Sequence, residues 1–195
     1  MPHVLSTLSH LLLGAGLGGL LGSWVALLAY QSMFLRMLVG SLLEGVRVIP
    51  PLIIIPFVLI VGGPTEVGQV IVAMVFAALS MFVYAINALE NVPRQFRIIG
   101  QLLAASRWQI ITTVEIPAIV PELLGGARIT LALTLGIVVV AEYLGAPSGI
   151  GRVLKFAISF SNVELIVVGM MWAGIIGVAG NQALGAIIGV FARWR

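Results

Sequence analysis

The chain has 195 residues, 61% of them hydrophobic and only 9% charged, against about 25% charged in an ordinary soluble domain. This balance excludes a disordered chain and argues strongly against a water-soluble one, and the mean hydropathy of +1.18 agrees. The net charge of +3 is not gathered into a basic cluster, which discounts nucleic acid as a partner, and the absence of cysteine removes disulfides and thiolate chemistry.

A bilayer-spanning helix needs roughly 20 apolar residues, because its backbone must be satisfied internally. The chain has room for about five. The first is predicted from about Leu8 to Tyr30, with Gly14, Gly18 and Gly22 at a spacing that admits a close helical neighbour, within the subunit or across a dimer seam. Upstream there is no basic region and no small-residue cleavage site, so the start does not read as a cleaved signal. The second helix is predicted from about Leu43 to Val61. Pro50, Pro51 and Pro56 interrupt it, and a proline kink in lipid needs neighbours or water for the freed carbonyls. This helix is therefore expected to face the bundle or a pathway. Gly62-Gly63-Pro64 is a turn, and the third helix runs from about Val67 to Leu89.

Pro93 opens a polar, arginine-bearing interruption, residues 92–121. Short helices are predicted from Gln95 to Leu103 and from Arg107 to Val114, with Ala104-Ala105 at the corner and Ser106 as an N-cap. Ile110, Ile111, Val114 and Ile116 can pack back on the bundle while Arg107, Trp108 and Gln109 face outward; an aromatic and an arginine are good interface anchors. Pro117 and Pro121 should restrict the chain as it re-enters the membrane. The fourth long helix is predicted from about Glu122 to Tyr143, followed by the loop 145–151, a short surface helix near Arg152 and Lys155, and a fifth helix from about Val163 to Ile188. With the 92–121 segment cytoplasmic, Arg36, Arg47, Arg94, Arg97, Arg107, Arg128, Arg193 and Arg195 share its side and only Arg152 and Lys155 lie opposite. That is the sense of the positive-inside rule, and it puts the N-terminus outside and the C-terminus inside, with Trp194 as an interfacial anchor.

Several motifs in order resemble the permeases of binding-protein-dependent ABC importers. In that family a loop beginning Glu-Ala-Ala, with a downstream Gly and a later Leu-Pro, docks into a groove on the ATPase. Here Leu103-Ala104-Ala105-Ser106-Arg107-Trp108-Gln109 is similar to the family's Leu-Gly-Ala-Ser-Arg-Trp-Gln, and Ile116-Pro117 to its Leu-Pro. Gly125-Gly126-Ala127-Arg128-Ile129 resembles Gly-Leu-Arg-Ile. The run Ala141-Glu142-Tyr143-Leu144-Gly145-Ala146-Pro147-Ser148-Gly149-Ile150-Gly151 is similar to Ala-Glu-Met-Leu-Gly-Ala-Thr-Ser-Gly-Leu-Gly. Arg47-Val48-Ile49-Pro50-Pro51 resembles Arg-Pro-Ile-Pro-Pro. The likeness spans nearly the whole chain and is nearest the nitrate, sulfonate and taurine branch, whose relatives also carry bicarbonate. Two departures stand in the loop: Ile98 replaces the family's glutamate, and Ala104 its glycine. Relatives usually have one more helix before the matched region, so the chain reads as a reduced permease or as one of two unequal partners.

The resemblance implies an all-alpha membrane protein with a five-helix type I permease core, 1–195, carrying a cytoplasmic coupling loop at 92–121. It implies import of a small solute, an anion such as nitrate, sulfonate or bicarbonate. The implied partners are two ABC ATPase subunits that bind ATP and Mg, a second permease copy or homologue, an extracytoplasmic solute-binding protein and the lipid membrane. Residues 103–109 would couple to the ATPase. Pro50, Pro51, Pro56 and Glu142 are candidates for the pathway or its gate, and Arg128 and Pro117 for support of the loop. Glu142 can brace the 145–151 loop or contact solute; Arg128 can pair with Glu122 or headgroups, or transmit motion. The chain has no phosphate-binding glycine loop and no Asp, so no catalysis or directly bound cofactor is expected. His3 and His10 do not have metal-site spacing and read as incidental. A membrane scaffold or sensor on the same fold is the alternative, followed by a secondary transporter or channel.

Overall fold

The structure is a computed structural model that describes residues 2–32, 34–35, 37–38, 40, 45 and 49–191. Arg36, Arg47, Arg193, Trp194 and Arg195 lie outside these residues, as does the Leu43 start of the second predicted helix; the side chains of Pro51 and Arg97 are likewise not described.

Eight α-helices follow one another in the described residues: α1 (Pro2–Gln31), α2 (Pro51–Gly62), α3 (Glu66–Asn91), α4 (Arg94–Leu102), α5 (Arg107–Ile110), α6 (Ile116–Gly145), α7 (Ile150–Ser159) and α8 (Val163–Phe191). A π-helical turn, Ile111–Glu115, joins α5 to α6. Among the described residues four stretches are long and apolar enough to cross a membrane: Pro2–Gln31, Glu66–Asn91, Arg107–Gly145 and Val163–Ala186. Of the second predicted helix the described residues show α2, which begins at Pro51; residues 43, 44 and 46–48 lie outside them. α2 has 12 residues, about 18 Å at 1.5 Å per residue, which does not cover a hydrocarbon core of about 30 Å.

The glycine spacing in α1 is explained by its neighbour. A Cβ at Gly14 would overlap Ala73, one at Gly18 the Met74 carbonyl, and one at Gly22 the Ala78 carbonyl. Contact therefore advances in the same direction along both helices, so α1 and α3 pack parallel, nearly backbone to backbone. Ala26 and Ala29 continue the seam onto Phe82 and Ala85. The small-residue face is thus buried inside the subunit. Two parallel neighbours require a return segment, and α2 lies on that return, seated by Ile55 and Leu59 against Val72 and Ala141. α6 runs the other way, and α8 is antiparallel to α6: Gly177, Gly180 and Gly185 meet Leu135, Leu131 and Arg128 in turn.

The expected gap between a helix ending at Val114 and one starting near Glu122 does not occur. Helical geometry is continuous from Arg107 to Gly145. The π turn supplies the reason: the Ile116 amide donates to Ile111 O, five residues back, so the ladder has already widened where Pro117 brings a ring and no N–H. Pro121 then sits inside α6.

Candidate functional site

One end of the bundle carries the polar interruption as an elbow. α4 ends in a reverse turn built on Ala104, whose φ is 54°. Leu103 N–H donates to Ile99 O (3.1 Å) and Ala105 N–H to Gly100 O (3.0 Å); the second bond is the six-to-one bond of a Schellman cap, which needs a left-handed residue at Ala104. Ser106 then starts α5 with a full capping box. Its Oγ accepts from Gln109 N–H at 3.3 Å, and its own N–H donates to Gln109 Oε1 at 2.8 Å. The two short helices lock together because Gly100 lies under Ile110; a Cβ there would stand 2.8 Å from Ile110 Cγ1.

The elbow's faces are sharply divided. Ile110 and Ile111 are buried and Val114 and Ile116 half-buried, whereas Leu102, Leu103 and Trp108 are 80%, 76% and 63% exposed. Phe96, Ile98 and Ile99 are also exposed. Arg107 is solvent-accessible but turns its guanidinium back onto Gln31 O at 2.8 Å, satisfying a carbonyl at the C-terminal end of α1. Asn91 donates to Glu122 (3.1 Å), tying α3 to α6 behind the elbow. Glu122 is not paired with Arg128 in this geometry: Arg128 reaches Asn181 O on α8 in a long 3.5 Å contact.

The opposite end holds a buried polar cluster that sequence reading missed. Glu142, near the end of α6, is buried. Its Oε2 accepts from Thr7 Oγ1 (2.9 Å) and from Gly151 N–H (3.0 Å), and its Oε1 lies 2.9 Å from His10 Nδ1. The other ring nitrogen, Nε2, lies 2.5 Å from Glu66 Oε2, and Glu66 Oε1 accepts from Ser148 Oγ at 2.6 Å. Thr7 Oγ1 also accepts from Ile150 N–H at 2.8 Å, and His3 Nδ1 accepts from Gly149 N–H at 3.1 Å. The N-terminal amides of α7, which have no intrahelical acceptor, are thus held by α1 and α6 side chains. Gly149 has φ 111°, and any Cβ there would overlap the Glu142 carboxyl; the glycine is what lets the loop lie on that carboxylate.

His10 is therefore not incidental. It is 1% exposed and bridges two carboxylates from two other helices. The available signal was an ionisable side chain inside an apolar span, which usually has a partner and a role. The partners lie 56 and 132 residues away, beyond any local pattern. The three side chains form a line through the imidazole rather than converging on a point, and no group suited to a metal ion exists among the described residues.

Of the remaining sequence candidates, the three prolines belong to α2, which packs beside the far end through Ile55 and Leu59 on Val72 and Ala141. Pro50 precedes α2 with φ −57° and ψ 133°, Pro51 is its first residue and Pro56 lies inside it. Pro50 and Pro56 are exposed, on the same short helix that exposes Leu52, Ile53, Phe57, Ile60 and Val61. An open groove of about 450 Å³ between α1, α6 and α8 is lined by residues such as Leu20, Met81, Leu124, Leu131 and Gly180. Its walls are almost wholly apolar and present no convergent polar groups for a charged solute.

Solved structures share this architecture. Two inward-facing structures of the MetNI methionine ABC transporter superpose with TM-scores of 0.76 and 0.78 at 22% identity, covering 95% of this chain and 94% of theirs. At that identity the likeness is one of fold. Among curated relatives, the taurine transport system permease protein TauC of Escherichia coli is 28% identical over 99% of this chain and 70% of its own length. The putative aliphatic sulfonates transport permease protein SsuC of Bacillus subtilis is 26% identical over 94% and 65%. The riboflavin transport system permease protein RibX of Chloroflexus aurantiacus is 26% identical over 83% and 60%. The chain thus spans under two thirds of the length of SsuC and RibX. Four apolar spans, the permease fold and a match of residues 18–194 to one family make this a multi-pass inner-membrane protein that belongs to the binding-protein-dependent transport system inner membrane component family.

Proposed function

We propose that this chain is the membrane-spanning subunit of an ATP-driven importer, and that the elbow at 103–109 is where an ATPase pushes on it. One observation carries the reading: the elbow is internally locked yet leaves Leu102, Leu103 and Trp108 bare. A Schellman cap, a capping box and the Gly100–Ile110 contact make it stiff. A stiff element with an aromatic and leucines outward is suited to transmit force from a docked partner. It continues directly into the long Arg107–Gly145 helix, so displacement of the elbow tilts a whole span.

In this reading two ATPases, each with ATP and Mg, act on two permeases, and an extracytoplasmic binding protein delivers the solute. The pathway lies between permeases, which accounts for the exposed faces of α2 and α8 and for the apolar character of the groove within a single subunit. A fifth crossing that includes α2 belongs to this reading, with Pro50, Pro51 and Pro56 as its pathway candidates. Arg94 and Arg107 sit at the elbow end and Arg152 and Lys155 at the far end, which supports a cytoplasmic elbow and an extracytoplasmic N-terminus. Glu142 is fully engaged by Thr7, His10 and Gly151, so it braces the 145–151 loop rather than meeting solute; Arg128 and Pro117 support the base of α6. The solute is a small anion of the nitrate, sulfonate or bicarbonate kind, as the sulfonate and taurine relatives suggest.

The test replaces Arg107 and Trp108 together with alanine and measures ATPase association and ATP-driven uptake. Both should fall. Wild-type values for both would remove the docking role.

A further inference from the structure

The far-end cluster has a proton count fixed by its geometry. Both ring nitrogens of His10 face carboxylate oxygens, at 2.9 Å from Glu142 and 2.5 Å from Glu66. Each such contact needs one proton between the heavy atoms, because two lone pairs repel. The assembled cluster therefore holds two protons on this line, as an imidazolium between two carboxylates or as a neutral imidazole with one carboxylic acid. Glu142 Oε2 cannot supply one, since it accepts from Thr7 and from the Gly151 amide. With one proton removed, a buried nitrogen lone pair would face a carboxylate and two negative charges would share the site.

Among the described residues nothing nearby replaces the lost charge. From α7, Arg152 directs its guanidinium to the Ala146 and Pro147 carbonyls and lies over the Phe156 ring, while Lys155 is exposed one turn further on. From α1, His3 offers Nδ1 to the Gly149 amide as an acceptor. Glu164 is exposed at the start of α8. Proton access exists, because the Glu66 side chain at the end of the line is 52% exposed although His10 is buried.

We propose that His10 is a positioning residue whose second proton clamps the ends of α1, α3 and α6 to the 145–151 loop. The proposal rests on the importer reading only for its purpose: the loop then moves with α6 as one body when access switches. Deprotonation releases the loop from the span. The sign follows from linkage. The clamped form binds one more proton than the released form, so rising pH favours release.

The reporters are the Gly149, Ile150 and Gly151 amides. They donate to His3, Thr7 and Glu142 side chains and not to helix carbonyls, so their protection from hydrogen exchange measures the clamp itself. The measurement uses the intact membrane complex, corrected for the intrinsic base-catalysed rate, from about pH 6, near the free histidine value of about 6.5, upward to about pH 9. In the wild type, protection of the 145–152 segment should fall with rising pH, by up to about tenfold per pH unit for one proton. His10→Gln should be weakly protected at every pH, with no slope. Glu66→Gln is the informative variant and also guards against a misfolded His10→Gln. Its amide can donate to a neutral Nε2 while Nδ1–H donates to Glu142, so protection should persist and its pH slope should vanish. A flat wild-type profile, or a wild-type slope retained in Glu66→Gln, overturns the clamp. Neither result bears on ATPase docking at the elbow, whose loss would be seen in association and uptake instead.

Discussion

Ala104 occupies the left-handed region at φ 54° in the one turn that joins the two arms of the elbow, and that strain can be removed by a single substitution. A left-handed conformation costs an L-residue about 1–2 kcal/mol. Glycine avoids that cost but loses roughly 0.5–1 kcal/mol more chain entropy on ordering. Ala104→Gly should therefore stabilise the closed elbow by about 0.5–1 kcal/mol, a factor of roughly 2–5 in the opening equilibrium. Nothing else in the turn needs to change, since the Leu103-to-Ile99 and Ala105-to-Gly100 bonds use backbone atoms only. Hydrogen exchange at the Leu103 and Ala105 amides of the purified protein reads that opening directly. Slower exchange at both sites is the expected result, and Ala104→Val should speed exchange, because a branched side chain tolerates positive φ poorly. Unchanged or faster exchange in Ala104→Gly would refute the assignment of strain to this residue.

Thr7→Val deletes a hydroxyl that donates to Glu142 and accepts from the Ile150 amide; the orphaned buried amide alone should cost about 1–3 kcal/mol, seen as a lower thermal midpoint, and an unaltered midpoint would speak against the cluster as a brace. Gly18→Leu forces a side chain into the Met74 carbonyl and should prevent α1 from seating on α3, whereas Gly16→Leu, with open space around its Cβ position, should be tolerated; equal expression and stability of the two would contradict the parallel seam. Gly149→Ala collides with the Glu142 carboxyl at φ 111° and should destabilise the far end by about 1–3 kcal/mol, with rapid exchange confined to the 145–152 segment; protection as in the wild type would contradict the placement of Gly149 against Glu142.

Much of this architecture is legible in local pattern. Long apolar runs mark the spans, the four-residue glycine spacing marks the close face of α1, and Ser106 followed by Gln109 marks a helix start. What local pattern misses has specific causes. Residues 115–121 read as a gap between two helices, yet the Ile111–Glu115 π turn, ending two residues before Pro117, accommodates the proline, and such a turn has no simple composition signal. α2 shares its hydrophobicity with the four long spans, so only its described length of 12 residues separates it from them. The far-end cluster is the largest omission. Its members are Thr7, His10, Glu66, Glu142 and Ser148, of which only Glu142 stands out in the sequence, and the chain brings them together because the N-terminal ends of the parallel helices α1 and α3 meet the C-terminal end of α6. The motif containing Glu142 and Gly149 was visible in sequence; the side chains that complete it were not.

The absence of native cysteine allows the most direct test of the account. Single Leu103→Cys and Trp108→Cys variants of the intact complex can be treated with a membrane-impermeant maleimide from either face, with and without the ATPase subunits bound. The account predicts labelling only from the cytoplasmic face, suppressed when the ATPase is present. Labelling from the outer face, or cytoplasmic labelling indifferent to the ATPase, would contradict it.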